Sequence, residues 1–118
     1  MKRATGGAQQ LQAFKAEFFK ALAHPIRIRI LEVLVHGERS VHELQEALGL
    51  DQPTVSQQLA VLRAKNIVDA RKDGTTVRYT VRDASLRDLL GIARRIFDNH
   101  LMGTQSMLHE LRREARRR

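Results

Sequence analysis

The sequence predicts a mainly α-helical fold that carries one small β-hairpin. Apolar residues recur at spacings of three and four through most of the 118 residues, as they do in amphipathic helices. Two short runs of strand-forming residues, 67–72 and 76–82, flank Asp73-Gly74, and this dipeptide is a strong short-range signal for a hairpin. We therefore expect four helices, then the hairpin, then a helical C-terminal region.

The first two helices are predicted to meet at His24-Pro25. A residue before proline avoids the helical region, whereas proline itself suits a first helical turn. The first helix is therefore expected over about residues 9–22, after a flexible N-terminus over 1–8, and the second over 25–36. The apolar stripe of the first helix consists of Leu11, Phe14, Phe18 and Leu22.

A short third helix and a fourth helix follow, separated by a tight turn. Ser40 is a good N-cap, and Glu43 three residues later completes a capping box. Gly49 is expected to end the third helix, and Asp51 is a suitable N-cap for the fourth, which covers about 52–65. Two short helices joined in this way are typical of a helix-turn-helix.

The fourth helix carries a concentration of amide and hydroxyl side chains. Val55, Leu59 and Leu62 are expected to face inward, so that most polar side chains of the first turns face solvent. Amides and hydroxyls hydrogen-bond to base edges in DNA, although a merely solvated helix face explains the same composition. These polar residues are Gln52, Thr54, Ser56, Gln57 and Gln58.

The hairpin favours nucleic-acid binding over a merely solvated face. Val77, Tyr79 and Val81 alternate with polar and basic residues, so one face is expected to pack and the other to be polar and basic. A helix-turn-helix followed directly by a basic hairpin is the plan of a winged helix-turn-helix. The fourth helix would then enter the major groove, and the two-stranded wing, 67–82, would follow phosphates or a minor groove.

A long C-terminal helix is predicted to mediate dimerisation. Its apolar stripe runs from about residue 84 to Met102, and Gly103 is expected to end or kink it. The domain then spans 9–102, with a basic helical extension over 103–118. The outer helices hold more apolar surface than a small domain buries alone, which indicates a homodimer with recognition helices roughly 34 Å apart. The expected interface residues are Leu11, Phe14, Phe18, Leu89, Ile96, Phe97 and Leu101.

The charge of the chain points to a polyanionic partner, either nucleic acid or an anionic membrane surface. Lys and Arg number 21 against 13 Asp and Glu, which gives a formal net charge of +8. The absence of cysteine excludes disulfides and thiolate metal sites, and no apolar run approaches the ~20 residues of a membrane span. We expect a cytoplasmic protein that binds double-stranded DNA and no membrane.

From about Phe18 to Ile96 the sequence resembles the ArsR/SmtB family of bacterial winged-helix repressors. The resemblance rests on the runs 22–27 (LAHPIR), 29–34 (RILEVL), 55–59 (VSQQL) with Leu62-Arg63, and 74–79 (GTTVRY). It implies a homodimer that represses transcription from an imperfect palindrome near its own promoter. By the same resemblance, Gln52, Ser56 and Gln57 read bases, with Thr54 and Gln58 nearby. The residues implied in phosphate and wing contacts are Arg63, Arg71, Lys72, Thr75 and Arg78.

The metal sites known in this family do not carry over to this sequence. Ser40 and His42 stand where the third-helix motif has two cysteines. In the last-helix motif only Asp83 matches, because the other positions hold Ser85, Ile96 and Asn99. The sequence therefore predicts no metal site and no cofactor.

The sequence also bears on functions other than repression. An enzyme is not expected, because the chain lacks a cysteine nucleophile, a Gly-rich phosphate loop and a paired His/carboxylate motif. The alternatives are a non-specific architectural DNA-binding protein and a metal-responsive repressor with a non-standard His/carboxylate site. An unknown small-molecule effector is also compatible with the sequence.

Overall fold

The computed structural model describes residues 2–117, with side chains from residue 7 onward, and divides into two compact units at Ala84. The predicted fold, mainly helical with a hairpin wing, is confirmed. The second unit, from Ser85, is the single helix α5 (Leu86–Arg117). The first unit consists of α1 (Lys2–Leu22), α2 (Pro25–Leu34), β1 (Arg39–Ser40), α3 (Val41–Leu48), α4 (Gln52–Ala64), β2 (Val68–Asp73) and β3 (Thr76–Val81).

The break between α1 and α2 lies at His24-Pro25, as predicted. The imidazole Nδ1 of His24 accepts a hydrogen bond of 3.2 Å from the backbone N–H of Ile26, so this residue is the N-cap of α2. Helix α1 begins at Lys2 and not near residue 9, because the good helix formers around Gly6-Gly7 offset the helical cost of the two glycines. The flexibility predicted for residues 1–8 stays a prediction, and Met1 lies outside the described residues.

The helix-turn-helix, α3 and α4, is confirmed together with both caps of α3, whereas Asp51 precedes α4 without making a side-chain capping hydrogen bond. The Ser40 hydroxyl accepts from the Glu43 backbone N–H at 3.1 Å, and the Glu43 carboxylate accepts from the Ser40 N–H at 3.0 Å. Gly49 ends α3 with φ +66°, a left-handed conformation that glycine adopts without strain. Across the turn, Arg29 of α2 donates to the Leu48 carbonyl at 2.7 Å and so satisfies a free C-terminal acceptor of α3.

The wing is an antiparallel sheet of order β1-β3-β2, with one strand more than predicted. Strand β1 has two residues, too few for a periodic signal, and pairs Ser40 with Arg78. The register pairs Asp73 with Thr76, so the loop consists of Gly74 and Thr75. Gly74 has φ +65°, the sign that a two-residue hairpin loop requires at its first position.

The core of the first unit is formed mainly by apolar side chains from α2, α3, α4 and β2, together with Ala21 and Leu22 at the end of α1. Val55, Leu59 and Leu62 are fully buried, which confirms the predicted inward face of α4. Strand β3 does not show the predicted clean alternation, because it is the central strand and its residues 77–81 are all half-buried. The fully buried side chains are Ile30, Leu31, Leu34, Leu44, Val55, Leu59, Leu62 and Val68.

The C-terminal unit is a continuous α-helix of 32 residues. The prediction that Gly103 ends or kinks the helix is wrong. One glycine costs a helix only about 1 kcal/mol, and it lies here between long stretches of good helix formers. Among residues 2–117, no helix is long and apolar enough to cross a membrane.

Candidate nucleic-acid interface

The exposed side of α4 is mixed, and Gln57 lies at its centre. Its polar members are Gln52, Gln57 and Arg63, and its small apolar members are Pro53, Ala60 and Ala64. At about 100° per residue, Gln57 points roughly opposite to the direction shared by Val55, Leu59 and Leu62. It is exposed, whereas those three residues are fully buried. Packing of the apolar side therefore fixes which side chains α4 presents outward.

The first turn of α4 presents a preorganised pair of polar side chains. The Gln52 amide Nε2 donates to the Ser56 hydroxyl at 2.7 Å, one helical turn away. Thr54 lies between them in sequence and is half-buried. The pair leaves the Gln52 amide oxygen as an acceptor and the Ser56 hydroxyl hydrogen as a donor next to each other.

Gln58 differs from the other glutamines of α4 because α2 holds it. Its side-chain oxygen accepts a hydrogen bond of 2.9 Å from Nε of Arg27. Arg27 in turn donates through Nη1 to the Ala21 carbonyl at the end of α1, also at 2.9 Å. These bonds link α1, α2 and α4, and they direct the amide oxygen of Gln58 toward the protein.

Exposed basic side chains lie at the end of α4 and on the wing. Arg63 is in the last turn of α4, and Lys72 is on β2 next to the hairpin loop. Both side chains are exposed, as is Thr75 in the loop itself. The helix end and the wing tip therefore present groups suited to phosphate.

Two other wing arginines already have carboxylate partners. Nη2 of Arg71 lies 3.0 Å from Oε1 of Glu38, and Nε of Arg78 donates to the same oxygen at 2.9 Å. Nη2 of Arg78 also lies 3.1 Å from Oε1 of Glu43. The predicted open, basic face of β3 is thus wrong for Arg78, whose side chain is only 25% exposed.

The carboxylates of this cluster are stabilised in their charged form. The hydrogen bond from Arg71, and then that from Arg78, lowers the pKa of Glu38 against the opposing effect of desolvation. For Glu43, the hydrogen bond from the Ser40 backbone N–H is the largest cause that lowers its pKa. At neutral pH both groups are therefore anions.

Sequence reasoning did not identify Arg27 or Glu38 as part of this surface. Arg27 reaches Gln58 across 31 positions, and Glu38 reaches Arg71 and Arg78 across 33 and 40. The register that places the two wing arginines opposite each other calls for a counter-charge, but this register follows from the structure and not from the predicted Asp73-Gly74 loop.

Both outer helices expose apolar side chains. On α1, Leu11 and Phe14 are exposed. Phe18 is half-buried and packs edge-to-face with Phe19, with 5.5 Å between the ring centroids. On α5 the exposed apolar side chains continue beyond Met102. They are Ile92, Ile96, Phe97, Leu101, Met102, Met107, Leu108 and Leu111, while Leu89 is half-buried.

Within the described part of the chain, no group of three or more His, Cys, Asp or Glu side chains could hold a metal ion. His42 instead lies 3.0 Å from Glu46 on the exposed surface of α3. His24 is used as the N-cap of α2.

Comparison with known proteins places this surface among bacterial regulators. Residues 24–70 match the model of the arsR family of bacterial regulatory proteins, a range that includes all of α2, α3 and α4. The chain is 44% identical over 106 residues to Rv0081 of Mycobacterium tuberculosis, an uncharacterized HTH-type transcriptional regulator, covering 89% of this chain and 93% of that protein. It is 40% identical over 82 residues to the biofilm growth-associated repressor of Xylella fastidiosa, covering 70% and 72% of the two chains.

Solved structures show the same fold. The crystal structure of Rv0081 superimposes with a TM-score of 0.72 at 46% identity, covering 80% of this chain and 95% of that chain. A homodimeric winged helix-turn-helix DNA-binding domain from Mycobacterium bovis, Mb0332, gives a TM-score of 0.71 at 32% identity, covering 80% and 87%. The similarity therefore extends well beyond the helix-turn-helix itself.

Proposed function

This chain belongs to the ArsR family of bacterial DNA-binding transcriptional regulators, and we propose that it is a homodimeric repressor that reads an imperfect palindrome. Its α4 reads base edges in the major groove, and its wing follows the backbone or a minor groove. The exposed polar side chains on the first turns of α4, Gln52 and Gln57, are the observation that carries this proposal. Polar side chains that do not pack in the core can hydrogen-bond to base edges in DNA.

The base-reading role belongs to the first turns of α4. Gln57 is fully available, and the Gln52–Ser56 pair offers a donor and an acceptor in a fixed relation. Thr54 lies beside them, whereas Gln58 contributes through its amide nitrogen because Arg27 holds its oxygen.

Phosphate contacts are assigned to the exposed groups of the helix end and the wing. The exposure of Arg63, Lys72 and Thr75 supports this role. Glu38 pairs with both Arg71 and Arg78. Each of these arginines must therefore release its carboxylate partner before it binds phosphate.

The dimer is proposed to form through the apolar faces of α1 and α5, which the single chain leaves exposed. The homodimeric relative Mb0332 supports this assembly. In this proposal the dimerising domain is 9–102, and 103–118 is a basic extension of α5 that flanks it.

Fluorescence anisotropy with DNA from the upstream region of the protein's own gene tests the proposed repressor. A scrambled duplex is the competitor, first with chelator and then with zinc. We expect a preference of about 10³-fold or more for the upstream DNA, unchanged by zinc. Equal affinity for both duplexes would favour an architectural DNA-binding protein, and release by zinc would indicate a metal-responsive repressor.

A further inference from the structure

Two arginines of the wing lie directly opposite each other. Arg71 on β2 and Arg78 on β3 are partners in the antiparallel register. Opposite residues of a ladder have β-carbons about 5 Å apart, so like charges at such a pair destabilise the sheet. The wing therefore needs an anion at this position in the free protein.

Glu38 supplies that anion from the loop before β1. Its Oε1 accepts from Arg71 Nη2 at 3.0 Å and from Arg78 Nε at 2.9 Å, and its Oε2 accepts from the same Arg71 nitrogen at 3.1 Å. One carboxylate thus bridges both strands of the hairpin. The bridge is on the surface, since the Arg71 side chain is 60% exposed and that of Glu38 36%.

Glu43 completes the cluster and connects it to the helix-turn-helix. It lies 3.1 Å from Arg78 Nη2 and belongs to the capping box at the start of α3. Two guanidinium groups therefore meet two carboxylates, and the cluster carries no net charge. The centre of the wing contributes little to the attraction between the protein and a phosphate backbone.

We propose that Glu38 is a specificity-determining residue, an internal counter-anion that keeps Arg71 and Arg78 from binding phosphate indiscriminately. The inference rests on the proposed function of the wing. Sequence-independent affinity for DNA comes from cations that neutralise phosphates, and a high non-specific affinity reduces the advantage of the operator. By occupying two arginines, Glu38 leaves a larger share of the binding free energy to the base contacts of α4.

The substitution Glu38→Gln tests the proposal because it removes the charge and keeps the shape of the side chain. The readout is the slope of log affinity against log salt concentration on a random-sequence duplex of about three helical turns. We expect the slope to steepen by about one to two, since each freed arginine neutralises about one phosphate. When the salt concentration rises from 50 to 200 mM, each added phosphate contact makes the loss of DNA affinity roughly three- to fourfold larger.

Glu46→Gln is the matched control. It removes the same charge from the same region of the chain, but Glu46 contacts His42 and neither wing arginine. We expect its salt slope to stay within error of the unsubstituted protein. Equal steepening in both variants would overturn the proposal, because net charge alone would then explain the effect.

A double-mutant cycle with Arg71→Gln separates the counter-anion role from a merely structural one. While Glu38 is present, Arg71→Gln should change the salt slope by clearly less than one, because that arginine is already neutralised. In the Glu38→Gln background, it should lower the slope by about one. If Arg71→Gln changes the salt slope equally in both backgrounds, the proposal is contradicted. Circular dichroism melts verify that each variant is folded.

The same binding experiments distinguish a wrong proposed function from a wrong role for Glu38. If the unsubstituted protein does not bind the random duplex or its upstream DNA, the DNA-binding assignment of α4 and the wing is wrong. If it binds both and all salt slopes agree, only the role of Glu38 is wrong.

Discussion

Gln57 is the single residue with the most direct predicted effect on DNA recognition. It lies on the outward side of α4, away from the buried Val55, Leu59 and Leu62. We predict that Gln57→Ala weakens binding to the operator by about 1–3 kcal/mol and binding to random DNA hardly at all, because a base contact is lost and no phosphate contact. Titrations of both duplexes at one salt concentration measure the two changes.

Gln105→Ala is the control for this prediction. Gln105 is also an exposed glutamine and lies on α5, outside the helix-turn-helix and the wing, so its loss should leave both affinities unchanged. A Gln57→Ala variant that loses equal affinity for the operator and for random DNA would show that Gln57 does not read a base.

At the same scale, the sequence predicted which residues are polar and outward but not which of them are already engaged. The polar set of α4 follows from its apolar period, which is local information. The partners of Gln58, Arg71 and Arg78 come from positions 31 to 40 residues away, and only the folded chain brings them near. A local pattern cannot distinguish a free arginine from one that a distant carboxylate holds.

At the scale of elements, local signals predicted which helices and strands exist and how α3 is capped. They predicted less well where the elements end and in which register the strands pair. The capping box of α3 and the left-handed Gly49 depend on side chains within a few residues, and both are confirmed. Strand β1 escaped prediction because two residues contain no period. The hairpin was predicted, but its loop lies at Gly74 and Thr75 and not at Asp73-Gly74.

The continuity of α5 leads to a prediction about Gly91, which lies inside the helix. A β-carbon at Gly91 meets no atom of the described residues within 4 Å, so alanine fits without a clash. Gly91→Ala should therefore stabilise the protein by about 0.5–1 kcal/mol, because glycine is the poorer helix former. Urea unfolding at a fixed protein concentration measures the change in the free energy of unfolding.

Gly49→Ala is the matched comparison, because a β-carbon there also meets no described atom within 4 Å. Gly49, however, has φ +66°, so alanine at this position is strained and should destabilise the protein. Opposite signs at the two glycines are expected from backbone conformation alone. A destabilising Gly91→Ala would mean that the helix is not continuous at this point in solution.

At the scale of the whole molecule, net charge and apolar surface predicted the two kinds of partner. The excess of basic residues indicated a polyanionic partner, and the apolar outer helices indicated a second copy of the chain. The exposed apolar side chains of α1 and α5 agree with the second expectation. The operator and the inducing signal do not follow from these features, because many base sequences and ligands suit the same kind of surface.

A substitution at Ile96 tests the proposed dimer interface most directly. In the single chain it is 60% exposed, and at about 100° per residue it shares one face of α5 with Leu89 and Ile92. If this face meets a second copy, Ile96→Glu places an unpaired charge in the interface and should weaken the dimer by about 2–5 kcal/mol. Gln105 is exposed on the same helix, points about 180° away and lies outside the proposed dimerising domain 9–102, so Gln105→Glu is the control. Sedimentation equilibrium should show dissociation for Ile96→Glu alone, together with lost preference for the full palindrome over a half-site. Dimers that survive Ile96→Glu, or dissociate equally in both variants, would move the interface away from this face of α5.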